Sequence, residues 1–373
     1  MKVGWDQVHA WRLRRQLVDP RGNSDAVDVV TRLCGVQAQV ASSAKLAVKL
    51  RQTKPVDGAV ERALHDGVLL KVWAMRGTLH LLRTADAGAY LSVMASVRSW
   101  EKPSWQKASG VTPQEIDALA DVVSELLDGT VLSRDELVTK IAAKQRFAAM
   151  EQHLRSGWGS LLKPLAWRGV LCHGPNQGTR VTFVRPTSLP EWTGLPDPDE
   201  AAPRVIAAYL GAFGPATPEA FDAWLFRGGL KKATLRGWFA SLGDRLTEVD
   251  VEGRAGFILT EHADELAETK PTASVRLLGP FDQYVLGPST REPELLPPEY
   301  RDKVSKAAGW ISPIVVVGGR ITGVWELTDS QVTVSFFPGE ATASTKDLEA
   351  EVAHVARAGG RSDLTLEMAS AEH

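Results

Sequence analysis

The feature that most constrains the fold is a pattern repeated three times along the chain, in which segments of helical periodicity precede two short β-rich runs. Helices followed by a short hairpin are typical of a winged helix, the helix-turn-helix variant whose hairpin forms the wing. The pattern therefore predicts a mainly α-helical protein with β-hairpins, of the α+β class, built from tandem winged-helix units. The three hairpins are predicted over residues 68–82, 170–184 and 246–259.

The last third of the chain has a different character, because several of its segments alternate or run apolar as strands do. The helical and β-rich patterns together predict four parts, over residues 1–105, 106–186, 187–270 and 271–373. Each of the first three carries winged-helix features, and the last is a β-rich region with a closing helix. Its strands are predicted over residues 275–286, 313–317, 320–327 and 331–336.

Two capping boxes and one linker mark boundaries inside this pattern. Thr112 and Ser133 each precede a glutamate by three residues, the arrangement in which both side chains cap the first turn of a helix. A helix over residues 154–167 is expected before the second hairpin. Residues 186–203 are rich in Pro, Asp and Glu, which indicates a linker between the second and third units.

A pair of glutamines interrupts the helical pattern of the first unit. Gln37 stands where an apolar residue would continue the stripe, and such a local conflict often marks a site. In a continuing helix Gln39 would point about 200° away from Gln37. Both amides can face one place only if the helix ends near Gly35, with Ser42 or Ser43 capping the next helix. The alternative is a polar helix end followed by a solvated basic face.

Charge is distributed unevenly, although the net charge is only −2. Residues 1–80 contain thirteen Lys and Arg against seven Asp and Glu, whereas residues 340–373 contain three against seven. This polarity suits a nucleic-acid-binding face, although it also occurs in proteins that bind no anion. For each candidate the alternative is a solvated charge or, near the first hairpin turn, a hydrogen bond within the wing. The candidate DNA-binding residues are Arg12, Arg15, Lys45, Lys49, Arg51, Arg76 and His80.

Signatures of metal, nucleotide and thiol chemistry are absent from the sequence. There is no HExxH, no CxxC pair, no Walker A loop and no GxGxxG, and the eight histidines do not cluster at metal-ligand spacings. Cys34 and Cys172 are far apart, and neither a secretory segment nor an apolar run of membrane-spanning length occurs. We therefore expect a reduced, cytoplasmic protein with no membrane contact, no metal and no organic cofactor.

Six segments carry a resemblance to known proteins: 5–17 (WDQVHAWRLRRQL), 35–39 (GVQAQ), 73–82 (WAMRGTLHLL), 214–225 (GPATPEAFDAWL), 279–287 (GPFDQYVLG) and 317–325 (VGGRITGVW). Together they resemble the AlkZ/YcaQ family of winged-helix DNA glycosylases, and they extend over almost the whole chain. The resemblance implies tandem winged helices that form a concave surface for double-stranded DNA. It also implies hydrolysis of the N-glycosidic bond of N7-alkylguanine, including bulky adducts and interstrand crosslinks, in base excision repair and self-resistance to a DNA-alkylating natural product.

The catalytic motif of that family is Gln or His, an apolar residue and then Gln. Gln37-Ala38-Gln39 fits its Gln-first form, so the resemblance implies that Gln37 and Gln39 are the catalytic residues. A monofunctional enzyme is expected, because no lysine lies in the motif to form a Schiff base with the sugar. Asp282 could orient water or the sugar as a supporting residue, or it could be a buried carboxylate bonded to backbone.

The alternative function is that of a non-enzymatic winged-helix regulator, which would use the same basic helix to bind DNA. Such a regulator usually dimerises on palindromic sites. A chain with three tandem units has no such need, so we expect a monomer whose partner is double-stranded DNA carrying alkylated guanine. Release of a free modified base from alkylated DNA would distinguish the two functions.

Overall fold

The computed structural model describes residues 1–369, and within them it confirms a mixed architecture of helices and strands. The helices are α1 (Trp5–Arg15), α2 (Ala26–Arg32), α3 (Ala41–Lys49), α4 (Ala59–His65), α5 (Thr84–Ser96), α6 (Pro103–Ser109), α7 (Pro113–Leu126), α8 (Arg134–Ala142), α9 (Glu151–Arg155), α10 (Leu162–Trp167), α11 (Pro198–Phe213), α12 (Pro218–Phe226), α13 (Lys232–Ala240), α14 (Ala263–Glu268), α15 (Gln283–Leu286), α16 (Arg301–Val304) and α17 (Thr345–Gly359). The strands are β1 (Lys2–Val3), β2 (Val36–Gln37), β3 (Leu69–Trp73), β4 (Leu79–Arg83), β5 (Leu132–Ser133), β6 (Cys172–His173), β7 (Thr182–Val184), β8 (Leu246–Val251), β9 (Arg254–Leu259), β10 (Val275–Leu278), β11 (Ile314–Val317), β12 (Arg320–Thr328), β13 (Gln331–Phe336) and β14 (Thr365–Met368).

The first two predicted hairpins lie in one sheet, whose strand order is β2-β4-β3-β6-β7-β5. Strands β3 and β4 form the first hairpin, and β6 and β7 form the second. The two hairpins are joined where Lys71 of β3 pairs with His173 of β6. The hairpin of the first predicted unit is therefore continuous with that of the second.

The third predicted hairpin consists of β8 and β9, paired antiparallel over six residues of each strand. The N-terminal strand β1 adds to its edge in parallel, with Lys2 opposite Asp250 and Val3 opposite Val251. The start of the chain thus belongs structurally to the third hairpin, although the sequence pattern groups it with the first unit.

The β-rich C-terminal region forms a five-stranded sheet, with the order β10-β11-β12-β13-β14. Gly318 and Gly319 make the predicted tight turn between β11 and β12, with φ values of 59° and 88°. The strand predicted over residues 275–286 is wrong beyond Leu278. Phe281 adopts a left-handed φ of 58°, and the side chain of Asp282 then caps α15 by accepting from the backbone N–H of Tyr284.

The local helix signals were read correctly in two cases and incorrectly in one. Thr112 caps α7 and Ser133 caps α8, each in a complete capping box. The helix predicted over residues 154–167 is instead two helices, α9 and α10, separated by a loop that contains Gly157 and Gly159. Gly159 adopts a φ of 64°, which a continuous helix does not allow.

One large hydrophobic cluster extends from Cys34 to Leu259 and includes side chains from all three predicted helical units. The C-terminal sheet packs against the first helix through a second cluster, in which Leu13 and Val18 contact the region of Tyr284. The boundaries predicted over residues 1–105, 106–186, 187–270 and 271–373 stay a prediction, and residues 370–373 lie outside the described part.

No helix within residues 1–369 is both long and apolar enough to cross a membrane. Among the same residues, no group of three or more His, Cys, Asp or Glu side chains is arranged to hold a metal ion.

Candidate active site

The glutamine motif lies at the edge of the sheet that contains the first hairpin. The chain leaves α2 through two residues with positive φ, Cys34 at 56° and Gly35 at 95°. A Cβ atom on Gly35 would lie 2.6 Å from Cδ2 of Leu82, so only glycine fits this close approach. The predicted end of the helix near Gly35 is therefore confirmed, and the chain continues into β2.

The predicted start of the following helix is wrong. Helix α3 begins at Ala41 after Val40, whose apolar side chain forms no cap, so neither Ser42 nor Ser43 is the N-cap residue. Ser43 is instead buried within the helix. The segment between β2 and α3 is only three residues long, which keeps the motif close to the sheet edge.

The register of β2 against β4 fixes the surroundings of the motif. Gln37 lies opposite His80, and the Ala38 N–H donates to the carbonyl oxygen of Leu79 at 2.7 Å. Directly opposite residues of an antiparallel pair project to the same face of the sheet. Gln37 and His80 thus share a face, whereas Val36 and Ala38 pack into the core on the other side.

The two glutamines differ in exposure. Gln37 is 7% exposed, and its side-chain amide forms no hydrogen bond with any residue between Met1 and Ala369. Gln39 is exposed, and its Oε1 accepts a long hydrogen bond of 3.4 Å from the backbone N–H of Leu79. The amide groups of the motif consequently retain donors and acceptors for a ligand or a water molecule.

His80 was predicted to contact DNA, but its side chain is fully buried beneath the sheet edge. Its Nδ1 lies 3.0 Å from the carbonyl oxygen of Thr78, so Nδ1 carries the proton and Nε2 is an acceptor. Burial, followed by the nearby charge of Arg76, lowers the pKa of His80 to about 3. Its Nε2 has no hydrogen-bond partner in the described chain. His80 therefore places a neutral acceptor beside Gln37 rather than a cation on the surface.

Arg76 lies in the turn between β3 and β4 and is only partly accessible. Its Nη1 donates to the carbonyl oxygen of Trp224 at 2.6 Å, whereas its Nη2 is buried with no partner among residues 1–369. Burial and then the charge of Arg227 lower the pKa of Arg76 to about 10. The turn is thus fastened to α12, and part of the guanidinium remains unsatisfied.

Three of the predicted phosphate contacts are corrected, because their guanidinium groups hold the protein together. Arg12 is buried and donates to the carbonyl oxygens of Gly214 and Pro215, both at 3.1 Å. Arg15 donates to the carbonyl oxygen of Gly211 at 2.8 Å and also contacts His262 and Glu265. The last of the three is Arg51, which is fully buried.

Arg51 and Asp282 form a buried ion pair between the first unit and the C-terminal region. The two guanidinium nitrogens of Arg51 donate to the two carboxylate oxygens of Asp282 at 2.7 and 2.8 Å. Asp282 also accepts from the backbone N–H of Tyr284, and neither charged side chain is exposed. Asp282 is therefore a structural carboxylate, and a role in orienting water or the sugar is not supported.

Lys45 and Lys49 lie on the surface of α3, but each has a carboxylate partner. Lys45 Nζ is 2.5 Å from Glu61 Oε1, and Lys49 is paired with Asp57. Exposed pairs of this kind contribute little to stability, so a phosphate could displace the carboxylates. Contact of these two lysines with DNA stays a prediction.

Sequence reasoning missed two cations at the tip of the first hairpin, Lys163 and Arg227. They belong to α10 and to the end of α12, so no local pattern connects them with the motif. Only the packing of the hairpin turn against those helices brings them close to Arg76.

The polar groups of the motif and of His80 form no hydrogen bond with an acid in the described part of the chain. No Asp or Glu side chain of residues 1–369 hydrogen bonds to Gln37, Gln39 or His80. Amide and imidazole groups of this kind can orient a water molecule and stabilise a developing positive charge, but they cannot supply a proton to a leaving group at neutral pH.

The chain is similar to known DNA glycosylases over almost its whole length. Residues 30–358 match the family model described as DNA glycosylase AlkZ-like. An interstrand DNA cross-link repair glycosylase from Streptomyces sahachiroi is 58% identical over 366 residues, which cover 98% of this chain and 99% of that protein. The solved structure of Streptomyces sahachiroi DNA glycosylase AlkZ superimposes with a TM-score of 0.97 at 58% identity, covering 99% of this chain and 100% of the other.

Proposed function

Because the chain belongs to the AlkZ-like DNA glycosylase family, we propose that it hydrolyses the N-glycosidic bond of N7-alkylguanine in double-stranded DNA, including bulky adducts and interstrand crosslinks. The relative from Streptomyces sahachiroi is an interstrand cross-link repair glycosylase, and the extent of the similarity supports the same substrate class here. A role in self-resistance to a DNA-alkylating natural product is part of the proposal. The alternative of a non-enzymatic regulator is set aside, because the family consists of DNA glycosylases.

The observation that carries the substrate proposal is the neutral pair Gln37 and Gln39, beside a buried neutral His80 and without a hydrogen-bonded carboxylate. Alkylation at N7 makes guanine cationic. When the bond between N9 and the anomeric carbon breaks, its electron pair neutralises the base, so no general acid is required. The protein then has to position a water molecule and stabilise the oxocarbenium-like sugar.

Each glutamine has a proposed role in that step. An amide oxygen of Gln37 or Gln39 accepts a hydrogen bond from the attacking water and orients its lone pair toward the anomeric carbon. The water oxygen forms the new bond to that carbon, and its proton passes to solvent. The amide oxygens also place partial negative charge near the developing sugar cation. No lysine lies in the motif, so the enzyme is proposed to be monofunctional.

Three tandem winged-helix units with a concave face, acting as a monomer, form the proposed scaffold. The three helix-and-hairpin segments support it, since each hairpin follows helices in the order a winged helix requires. Lys45 and Lys49 are retained as proposed phosphate contacts on the same scaffold.

The substrate proposal predicts that the charge on the leaving base determines which lesions are released. Duplexes that contain 7-methylguanine, a guanine–guanine crosslink, uracil or 8-oxoguanine would be incubated with excess enzyme, and free base would be quantified. We expect release of 7-methylguanine and unhooking of the crosslink, and no release of uracil or 8-oxoguanine. A base that is neutral in the DNA leaves as an anion, so its departure requires protonation or stabilisation of that anion.

The double variant Gln37→Ala/Gln39→Ala is the matched control for base release. Efficient release of uracil by the wild-type protein would contradict the amide-only mechanism, because it would require a general acid. Absence of 7-methylguanine release would contradict the proposed substrate class.

A further inference from the structure

Three cations from three separate elements meet at the tip of the first hairpin. Arg76 lies in the turn between β3 and β4, and its neighbour Gly77 faces Lys163 of α10, since a Cβ atom on Gly77 would lie 3.7 Å from Lys163 Nζ. Arg76 Nη1 donates to the carbonyl oxygen of Trp224 at 2.6 Å, three residues before Arg227. The hairpin tip is therefore bordered by α10 on one side and by the end of α12 on the other.

None of these three cations is paired with a carboxylate among residues 1–369, in contrast to Lys45 and Lys49. Burial and then the charge of Arg227 lower the pKa of Lys163, as they do for Arg76. The cations are thus close enough to destabilise one another's charge. Such a cluster is electrostatically incomplete, and an anion bound among its members would remove the repulsion.

Two of the three cations also have an unusual backbone conformation. Arg76 and Arg227 have φ values of 58° and 59°, in the left-handed region that favours glycine. Arg227 directly follows α12, at a position that glycine fills at lower conformational cost. Both positions therefore carry an arginine although the backbone conformation favours glycine. Residues held in such unfavourable backbone conformations cluster at binding and active sites.

The cluster lies beside the proposed catalytic pair. Gln39 accepts from the backbone N–H of Leu79, which is three residues after Arg76 on the same hairpin. Since guanidinium and ammonium groups bind DNA through its phosphates, we propose that Lys163 and Arg227, with the buried charge of Arg76 behind them, form a phosphate-binding site that holds the lesion-bearing strand next to Gln37 and Gln39. This proposal rests on the proposed function, because it takes damaged DNA as the ligand.

The salt dependence of DNA binding tests the site directly. Binding of a duplex with one 7-methylguanine would be measured by fluorescence anisotropy over a range of salt concentrations, for the wild type, Lys163→Ala and Arg227→Gln. Each variant should reduce the slope of log K against log salt by about one and weaken binding roughly tenfold at low salt. Glutamine retains a Cβ atom, so Arg227→Gln leaves the backbone cost at that position unchanged.

Lys346→Ala is the matched control, since Lys346 is an exposed lysine at the start of α17 in the acidic C-terminal part of the chain. Its salt slope should equal that of the wild type. Single-turnover base release should be reduced in Lys163→Ala, most strongly at low enzyme concentration, because the loss of a phosphate contact leaves less of the duplex bound. Wild-type slopes in both Lys163→Ala and Arg227→Gln would overturn the proposal.

Replacement of single phosphates by neutral methylphosphonates locates the contact. One substitution near the lesion should weaken binding by the wild type and have no further effect on Lys163→Ala, whereas equal sensitivity of both proteins at every position would contradict a phosphate contact. Failure of the proposed function would be distinguishable, because the wild type would then release no 7-methylguanine while the salt slopes would still report whether Lys163 and Arg227 bind phosphate.

Discussion

Among single residues, the glutamine motif and its neighbour His80 offer polar atoms that have no partner in the described chain. The Gln37 amide has no hydrogen bond within residues 1–369, and the buried Nε2 of His80 has no partner there either. The guanidinium and carboxylate of Arg51 and Asp282, by contrast, are satisfied by each other and by nearby backbone. An unpaired buried polar atom costs free energy, so a bound water molecule or substrate atom would stabilise the Nε2 of His80.

The glutamines themselves supply the prediction at this scale. Gln37→Ala and Gln39→Ala should each reduce base release on the order of 100-fold, since one oriented donor or acceptor at a transition state is worth about that much. Both variants should keep a melting temperature close to that of the wild type, because Gln37 has no internal hydrogen bond to lose and Gln39 has only the 3.4 Å contact with Leu79. Single-turnover assays of 7-methylguanine release and thermal melts would measure the two effects.

Gln152→Ala is a suitable control for these variants, because Gln152 is exposed on α9 and distant in sequence from the motif. It should match the wild type in both measurements. Near-normal rates in both motif variants would remove the amides from the mechanism, and a large drop in melting temperature would show that they are structural.

At the scale of elements, the hairpin of β3 and β4 is the common support. It pairs with β2 on one edge, which carries the motif, and with β6 on the other, through Lys71 and His173. His173 is held between Trp73 and Phe183, with ring centroids 5.0 and 5.1 Å from those of its neighbours. The position of the motif therefore depends on aromatic packing on the far side of the same hairpin.

That packing makes stability depend on pH. Burial, and then the charges of Lys71 and Arg134, lower the pKa of His173 from 6.5 to about 3. Between those values the unfolded chain binds more protons than the folded one, so stability falls as the pH falls below about 6.5. His173→Phe preserves the aromatic contacts and removes the titration. Melting temperature followed from neutral to acidic pH should therefore decline less steeply in His173→Phe than in the wild type.

An exposed histidine provides the comparison for that experiment. His65 is exposed at the end of α4, and His65→Gln should retain the wild-type decline of melting temperature with pH. Parallel curves for His173→Phe and the wild type would show that protonation of His173 does not contribute to acid unfolding.

At the scale of the whole molecule, the C-terminal region is tied to the first unit at several points. Leu13 and Val18 contribute to its core, and the buried pair of Arg51 and Asp282 connects the end of α3 with the start of α15. Each of these contacts joins residues more than two hundred positions apart. The β-rich region thus packs against α1 and is joined to the end of α3 by an ion pair.

The buried ion pair gives the prediction at this scale. Asp282→Ala should lower the free energy of unfolding by about 3–5 kcal/mol, because it leaves the Arg51 guanidinium buried and without its partner. The double variant Arg51→Met/Asp282→Ala should be less destabilised than the sum of the two single variants. Urea unfolding of all three proteins would measure these differences.

The exposed pair of Lys49 and Asp57 is the matched comparison, and Asp57→Ala should leave the urea midpoint almost unchanged. A similarly small effect of Asp282→Ala would show that the Arg51 charge finds another partner or solvent. If the Asp282→Ala protein were fully folded under the assay conditions and still released no 7-methylguanine, a direct role for this carboxylate would be restored.

Elements whose signals lie within a few residues of one another can be predicted from the sequence alone. The three hairpins, both capping boxes and the end of α2 near Gly35 depend on local backbone preferences, and the structure contains each of them. The resemblance to the family implies Gln37 and Gln39 as the catalytic pair, which stays a prediction, and β2 places Gln37 opposite His80.

Which charges are available to a ligand depends instead on the packing of distant segments. Arg12 and Arg51 lie in basic segments of the sequence, yet both are buried by long-range packing. Arg12 donates to backbone carbonyl oxygens, and Arg51 is paired with Asp282. Lys163 and Arg227 give no local signal, because they approach the hairpin from helices that follow it by about ninety and a hundred and fifty positions in the chain. Burial and ion pairing depend on contacts between distant segments, and a sequence pattern of a few residues carries no information about those contacts.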